Sequence, residues 1–179
     1  FFIAGYFVPA SYDKKGFGLF VKERLIRLGI PTLLFIFILH PITIFIMGHF
    51  FHWNMDYLKY YSEFITTGEF VRSTGPLWFA LALLIFAIGY ALFRKLSGNK
   101  PLSAEPVATK HKHILAAGLL IFACTFLVRI PFPIGSSVLN MQFCFFSQYI
   151  ILFMLGIYFY RKNLLLTIDY RLGMKWFKY

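Results

Sequence analysis

Residues 28–47, LGIPTLLFIFILHPITIFIM, form a run of twenty residues without a single Asp, Glu, Lys or Arg. A helix needs about 20 predominantly apolar residues to cross the hydrocarbon core of a bilayer. Three further apolar runs approach this length, at residues 77–93, 114–130 and 145–160. A fifth run, residues 1–8, is too short and indicates the last turns of a helix that ends at Pro9. The sequence therefore predicts an all-α fold, a polytopic transmembrane helix bundle with four full spans plus the end of a fifth.

The composition also places the chain among membrane proteins. Hydrophobic residues make up 59% of it and charged residues only 14%, against roughly a quarter in soluble domains. The net charge of +11 could indicate nucleic-acid binding, but the basic residues stand at the ends of the apolar runs. We therefore expect the lipid bilayer as a partner and no nucleic acid. Because the chain starts at Phe1 without a signal-peptide n-region, residues 1–179 are interpreted as an internal piece of a longer membrane protein.

The distribution of Lys and Arg predicts how the spans are oriented. Five basic residues lie in each of the segments 10–27, 94–113 and 161–179. The intervening segments have fewer: residues 48–76 carry two, and the link after the third span offers only Arg129. Basic loops stay on the cytoplasmic side of a membrane. The protein is thus predicted to be a multi-pass protein of the cell inner (plasma) membrane, and its three basic segments are predicted to lie on the cytoplasmic side. Among them, residues 97–112 resemble a flexible linker, and residues 164–179 a short helix that lies on the inner leaflet.

Two positions in the first half of the chain are candidates for chemistry. Arg24 and Arg27 are spaced i, i+3 on a helical approach to the first full span, so they share a face. The planar fork of arginine suits a phosphate, although lipid headgroup anchoring is the simpler interpretation of the spacing alone. His40 lies near the middle of that span, where Pro41 kinks the helix and frees a carbonyl around residue 37. A histidine at this depth either serves a function or forms a hydrogen bond between helices.

Other polar residues carry weaker signals. The spacing of His52 and Asp56 matches the H-x-x-x-D motif of soluble CoA-dependent acyltransferases, but the glycine that usually follows is replaced by Tyr57, so we interpret the match as coincidence. No third ligand accompanies His49 and His52, and the two cysteines have no metal-ligand spacing, so no metal site is expected. Arg129 either snorkels to the outer interface or lines a pocket there.

Four blocks, in this order along the chain, resemble the motifs of the membrane-bound acyltransferase-3 family. They are FFIAGYF at residues 1–7, KERLIRLGIP at residues 22–31, GPLWF at residues 75–79, and FPIG at residues 132–135 followed by QYIILFMLG at residues 148–156. The chain departs from the family at Ala4, where a serine is usual, and at Leu81, where related sequences often carry an acid. The resemblance implies a larger helix bundle that transfers an acyl group across the membrane.

The resemblance further implies roles for individual residues. The donor would be acyl-CoA or a similar co-substrate on the cytoplasmic side, with no other cofactor, and the acceptor a hydroxyl of a saccharide or another cell-envelope molecule. Arg24 and Arg27 would bind the donor. The motif positions that would pack or line a pocket are Gly5, Pro31, Gly75, Pro76, Trp78, Phe79 and Gln148. The catalytic histidine is expected on a helix before Phe1, so this piece is expected to be inactive alone. The alternative is a non-enzymatic transporter or flippase in which the His40–Pro41 kink gates a path.

Overall fold

The computed structural model describes residues 1–53, 56–98, 111–135, 137–167 and 170–178. Within these residues the chain is almost entirely helical. Four helical stretches are long and apolar enough to cross a membrane: Phe2–Phe50, Gly75–Leu96, His111–Arg129 and Phe143–Arg161. The predicted all-α transmembrane bundle is therefore confirmed. Most of the predicted linker, residues 99–110, lies outside the described residues.

The first of these stretches is a series of helices with one sharp break. It consists of α1 (Phe2–Arg24), a π-helical turn (Leu25–Gly29), α2 (Ile30–Leu34), a second π-helical turn (Phe35–Leu39) and α3 (His40–Phe50). Inside α1, Gly16 has φ 70° and ψ 175°, which no helix allows and which glycine reaches most easily. The chain reverses there, so that the parts before and after Gly16 run in opposite directions along the same neighbouring helix.

The prediction that the first helix ends at Pro9 is wrong. Pro9 lies inside α1 and is fully buried, and the helix continues past it to the break at Gly16. A proline removes one backbone hydrogen bond from a helix, but membrane helices tolerate this where neighbouring helices compensate. Here the packing of α1 against its neighbours holds the helical path through Pro9, and the polar run that follows belongs to the same helix.

Each π-helical turn lies just before a proline. Pro31 follows the turn Leu25–Gly29, and Pro41 follows the turn Phe35–Leu39. A proline ring clashes with the carbonyl four residues earlier, so the preceding turn widens. The carbonyl of Phe37, which loses its usual donor at Pro41, accepts a hydrogen bond from the Tyr61 hydroxyl at 3.3 Å. This bond ties the kink to the segment that follows α3.

Three further long helices complete the bundle. They are α5 (Trp78–Leu96), α6 (His111–Arg129) and α7 (Phe146–Arg161), and α1 packs against both α5 and α7. Buried side chains from these elements form the core: Val8, Tyr12, Phe20, Ala87, Tyr90, Ala91, Phe153 and Ile157. The helix α6 packs on the outer side of α7. After α7 the chain forms a short 3-10 turn (Leu164–Thr167) and α8 (Tyr170–Phe177), within the segment predicted to lie on the leaflet.

The two ends of the bundle have different characters. At one end, which we call the basic end, Asp13 of α1 meets Arg94 of α5 and Arg161 of α7. The opposite end, the far end, carries the helix α4 (Tyr57–Thr66) and a two-stranded antiparallel hairpin, β1 (Ser137–Val138) and β2 (Met141–Gln142). The segments for which the charge count predicts a common side of the membrane thus meet at the same end.

The far end is held together at the start of α5. Thr74, which is fully buried, donates its hydroxyl to the carbonyl of Leu139 in the hairpin turn at 2.6 Å. The next residue, Gly75, has a φ of 48°, and a Cβ at this position would lie 2.8 Å from the ring of Phe35. Glycine is therefore required both by the left-handed backbone and by the close aromatic ring.

We expect Gly75→Ala to lower the free energy of unfolding by about 1–3 kcal/mol, because it adds left-handed strain and forces the Phe35 ring to move. The measurement is thermal unfolding in detergent. Gly118→Ala is the matched control, since Gly118 lies in α6 and a Cβ there meets nothing within 4 Å. Equal unfolding temperatures for the two variants would contradict the account of Gly75.

Candidate functional site

Four side chains form an ionic cluster at the basic end. Arg161 donates to both carboxylate oxygens of Asp13, one at 3.0 Å, and to the Tyr90 hydroxyl at 2.7 Å. The guanidinium of Arg94, whose side chain is only 5% exposed, lies 3.7 Å from the same carboxylate. One carboxylate thus holds two arginines from different helices, which joins α1, α5 and α7. No local pattern in the sequence predicts this group of side chains, which we call the Asp13 cluster.

We expect Asp13→Asn to destabilise the bundle by about 2–3 kcal/mol, because two largely buried guanidinium groups lose their shared carboxylate. The 39% exposure of Asp13 keeps this below the cost for a fully buried pair. The measurement is thermal unfolding in detergent. Asp56→Asn is the matched control, since Asp56 caps α4 by accepting from the Leu58 amide and asparagine caps equally well. If both variants unfold at the wild-type temperature, the Asp13 cluster does not stabilise the protein.

The predicted donor-binding residues lie on and next to the first π-helical turn. Arg24 is the last residue of α1 and stacks on the buried Phe20 ring at 5.1 Å, while Arg27 is exposed on the π-helical turn itself. The charges of the two arginines act on one another, so the structure does bring them together. Among the residues that the structure describes, neither has a carboxylate within ion-pair distance. The charge of Glu23 acts on both arginines, but the Glu23 carboxylate is itself paired with Lys15. The pair therefore retains positive charge that a ligand could neutralise.

Contacts on either side show how far along the bundle the arginine pair lies. The Lys95 ammonium at the basic end lies over the Phe17 ring, 4.6 Å from its centroid, and Leu84 lies beside Gly29 nearer the far end. Arg24 and Arg27 fall between these contacts, alongside the middle turns of α5. The pair therefore lies beside the middle of a helix long and apolar enough to cross a membrane, and not at the basic end. A cation at membrane depth is costly unless it meets a partner or a water-filled cavity.

Three of the blocks that carry the family resemblance meet in one aromatic group. Phe1 stacks on Tyr149 of α7 at 4.5 Å between ring centroids and contacts Phe79 of α5 at 4.9 Å. Trp78 lies 5.6 Å from Tyr149. The motif residues Trp78 and Phe79 therefore pack against other motif blocks. Pro76 is exposed on the 3-10 turn Gly75–Leu77 just before them.

Glycines allow α1 and α7 to cross in close contact. A Cβ on Gly5 would lie 2.1 Å from the carbonyl oxygen of Phe153, and a Cβ on Gly156 would lie 2.1 Å from the carbonyl oxygen of Phe2. Small residues at such crossings are typical of membrane helix pairs. Gly5 thus lies at a helix crossing, while Pro31 is exposed in the first turn of α2, next to the turn that carries Arg27.

His40 lies in an aromatic environment at the start of α3. Its ring centroid is 6.0 Å from that of Phe64 and 6.3 Å from that of Phe35. Sixteen residues separate it from Arg24, which corresponds to about 24 Å along a helix. The structure therefore does not bring His40 together with the arginine pair. On α4, the Tyr60 ring lies beside Phe64, which contacts His40. Burial raises the pKa of the Tyr60 hydroxyl, and the charge of Glu69 acts in the same direction.

Gln148 lines a cleft between α6 and α7. The cleft has a volume of about 340 Å³ and is also lined by Thr125 and Arg129. The guanidinium of Arg129 lies over the Phe145 ring, 5.2 Å from its centroid. Arg129 thus lines this cleft while its side chain stays exposed at the end of α6, which is compatible with both interpretations of this residue. Within the described parts of the chain, no three metal-ligating side chains come together.

Comparison with known proteins assigns the chain to a family. No curated protein and no solved structure matches the chain. A family model described as an acyltransferase domain matches residues 1–177, which include all the motif blocks and the arginine pair. The match supports an acyltransferase of the general kind, carried by a multi-pass membrane protein. The chain therefore belongs to the acyltransferase-3 family of membrane acyltransferases.

Proposed function

We propose that this protein takes an acyl group, acetyl or similar, from acyl-CoA on the cytoplasmic side and transfers it to a hydroxyl of a saccharide or another cell-envelope acceptor. The proposal rests on one observation above all. Two arginines lie close together beside the middle of α5, neither within ion-pair distance of a carboxylate among the described residues, in a chain that belongs to an acyltransferase family. A ligand with several phosphates satisfies such a pair.

The π-helical turn suits this role. It widens the helix at Leu25–Gly29, and π-helical turns are frequent at functional sites. One face of the Arg24 guanidinium stacks on the Phe20 ring, which leaves the N–H groups at its edges available. Arginine can donate two parallel hydrogen bonds to one phosphate. We infer that Arg24 and Arg27 hold the phosphates of the donor and thereby position its thioester.

The transfer itself exchanges one bond for another. The acceptor oxygen forms a bond to the thioester carbonyl carbon, the carbon–sulfur bond breaks, and the CoA thiolate leaves. A general base takes the proton of the acceptor hydroxyl, and the thiolate is finally protonated. We assign that base to none of the five histidines of this chain, because the family resemblance expects it on a helix before Phe1. The inferred role of this chain is to hold the donor.

The same proposal gives the bundle its orientation. The basic end, with Lys95, Arg94 and Arg161, would face the cytoplasm, since basic segments are retained there. Acyl-CoA would then reach Arg24 and Arg27 from the basic end. The acceptor would lie towards the far end, where the hairpin and α4 are found. We propose the inner membrane as the location on the same grounds.

The test is donor binding by the complete gene product in nanodiscs, with labelled acetyl-CoA as the probe. We expect saturable binding that unlabelled CoA displaces. Pantetheine, which has the same thiol arm without the nucleotide phosphates, should not displace it at similar concentration. No binding by well-folded protein would contradict the proposal and would leave transport as the better interpretation. Displacement by pantetheine as effective as that by CoA would remove the role of the arginines in holding phosphates.

A further inference from the structure

A groove between α5 and α7 is not used by the proposed reaction. It has a volume of about 840 Å³, within the ~300–1,000 Å³ range of ligand pockets in proteins. Its walls are the side chains of Ile85 and Phe93 on α5 and of Ile150 and Met154 on α7, and all four are exposed. Phe86 closes the space between the helices, since its ring lies 5.4 Å from that of Phe153.

The groove and the arginine pair are on opposite sides of α5. The face of α5 that packs against α1 and the first π-helical turn contains Leu84, Ala87 and Ala91. The groove is lined from the same helix by Ile85, Phe86, Gly89, Tyr90 and Phe93. Arg24 and Arg27 do not line it. A molecule in the groove would therefore occupy a different place from the acyl donor.

One end of the groove is polar and positively charged. Tyr90, Arg161 and Lys162 line it there, at the basic end of the bundle. With Arg94 and Asp13 of the same cluster, this end has two positive charges in excess. The Nε atom of Arg161 is buried and has no hydrogen-bond partner within the described part of the chain. The groove thus combines an apolar trough with a cationic end.

The length of the groove matches one leaflet. From Ile150 to Lys162 it follows α7 for twelve residues, or about 18 Å, a little more than half of the ~30 Å hydrocarbon core. Its cationic end coincides with the end of α7, where headgroups are expected. An acyl chain in the trough would therefore point towards the middle of the bilayer, with its headgroup beside Lys162.

We propose that this groove binds an anionic phospholipid, with one acyl chain between α5 and α7 and the phosphate at Arg161 and Lys162. A phospholipid of the same leaflet supplies both chemistries that the groove presents, an apolar chain and a negative headgroup. A zwitterionic phospholipid fits the trough but does not balance the charge at its end. Gly89 lines the trough, and a Cβ there meets nothing within 4 Å, so a larger side chain would extend into the space.

The test uses the complete gene product in phosphatidylcholine nanodiscs with a trace of spin-labelled phosphatidylglycerol. We expect a motionally restricted lipid signal that is stronger for labelled phosphatidylglycerol than for labelled phosphatidylcholine. Gly89→Phe should abolish this preference by filling the trough. Lys162→Gln should weaken it about fivefold, as expected for one lysine near an anionic lipid surface. The readout is lipid retention, so it does not depend on donor binding or acyl transfer.

Two matched controls separate the groove from general effects. Gly118→Phe places the same side chain on α6, where a Cβ also meets nothing within 4 Å, and Lys112→Gln removes a charge from an exposed lysine of α6. Both should retain the wild-type preference. Equal retention of the two lipids by the wild-type protein would overturn the proposal. So would an equal loss of preference in the α6 variants. If Gly89→Phe fails to fold, the comparison of Lys162→Gln with Lys112→Gln decides alone.

Discussion

Replacing Arg24 and Arg27 together by alanine is expected to raise the KM for acetyl-CoA about a hundredfold while leaving the protein inserted in the membrane. Each arginine would lose a charge-assisted hydrogen bond to phosphate, about 1.5 kcal/mol or more. The phosphates are remote from the thioester, so they contribute similarly to the ground state and the transition state. We therefore expect kcat to change much less than KM. The measurement is steady-state acetyl transfer by the complete gene product in nanodiscs.

Two variants separate this role from a general effect of charge. Lys14→Ala with Lys22→Ala removes two positive charges from exposed residues of α1 that lie outside the π-helical turn, and its KM should stay close to the wild-type value. Arg24→Lys with Arg27→Lys keeps the charge but loses the planar fork, so an intermediate KM is expected. Donor binding by the arginines would be contradicted if KM stayed unchanged when both arginines are replaced by alanine. It would also be contradicted if KM rose equally when Lys14 and Lys22 are replaced by alanine.

The spans could be predicted from the sequence because the thickness of the bilayer sets the length of the apolar run that a spanning helix needs. The predicted span 77–93 corresponds to α5 (Trp78–Leu96), and the predicted span 145–160 to α7 (Phe146–Arg161). Both predictions need only the local sequence, since backbone groups in lipid must be paired within the helix. The position of the first helix break could not be predicted in this way. Pro9 is a local signal for a helix end, but packing against neighbouring helices overrides it and the break occurs at Gly16.

The candidate site was only partly visible in the sequence. The spacing of Arg24 and Arg27 predicts that they share a face, and the family resemblance gives them a role. Their depth beside the middle of α5 depends on the reversal at Gly16, which no local pattern indicates. The Asp13 cluster could not be predicted from local sequence, because Asp13 and Arg161 are 148 residues apart. The charge count predicts that both lie on one side of the membrane, but not that one carboxylate joins two arginines.

The close crossing of α1 and α7 is the contact whose loss we expect to cost most. At this crossing the backbones of two helices touch at Gly5 and Gly156, and each glycine faces backbone atoms of the other helix. Backbone atoms cannot rotate away as side chains do, so the helices themselves would have to separate. Their separation would pull Arg161 from Asp13 and widen the groove beside α7. The crossing therefore supports both the ionic cluster and the proposed lipid site.

Gly5→Ala and Gly156→Ala are each expected to lower the free energy of unfolding by at least about 3 kcal/mol, because the added Cβ would lie 2.1 Å from a carbonyl oxygen of the facing helix. The measurement is thermal unfolding in detergent, followed by reaction of a thiol dye with the fully buried Cys144. Gly18→Ala is the matched control in the same helix, since a Cβ at Gly18 meets nothing within 4 Å. This control should unfold at or above the wild-type temperature, because alanine favours helix over glycine. If all three variants unfold together with the wild type, then α1 and α7 do not cross at these glycines, and the ends of the bundle are held by other contacts.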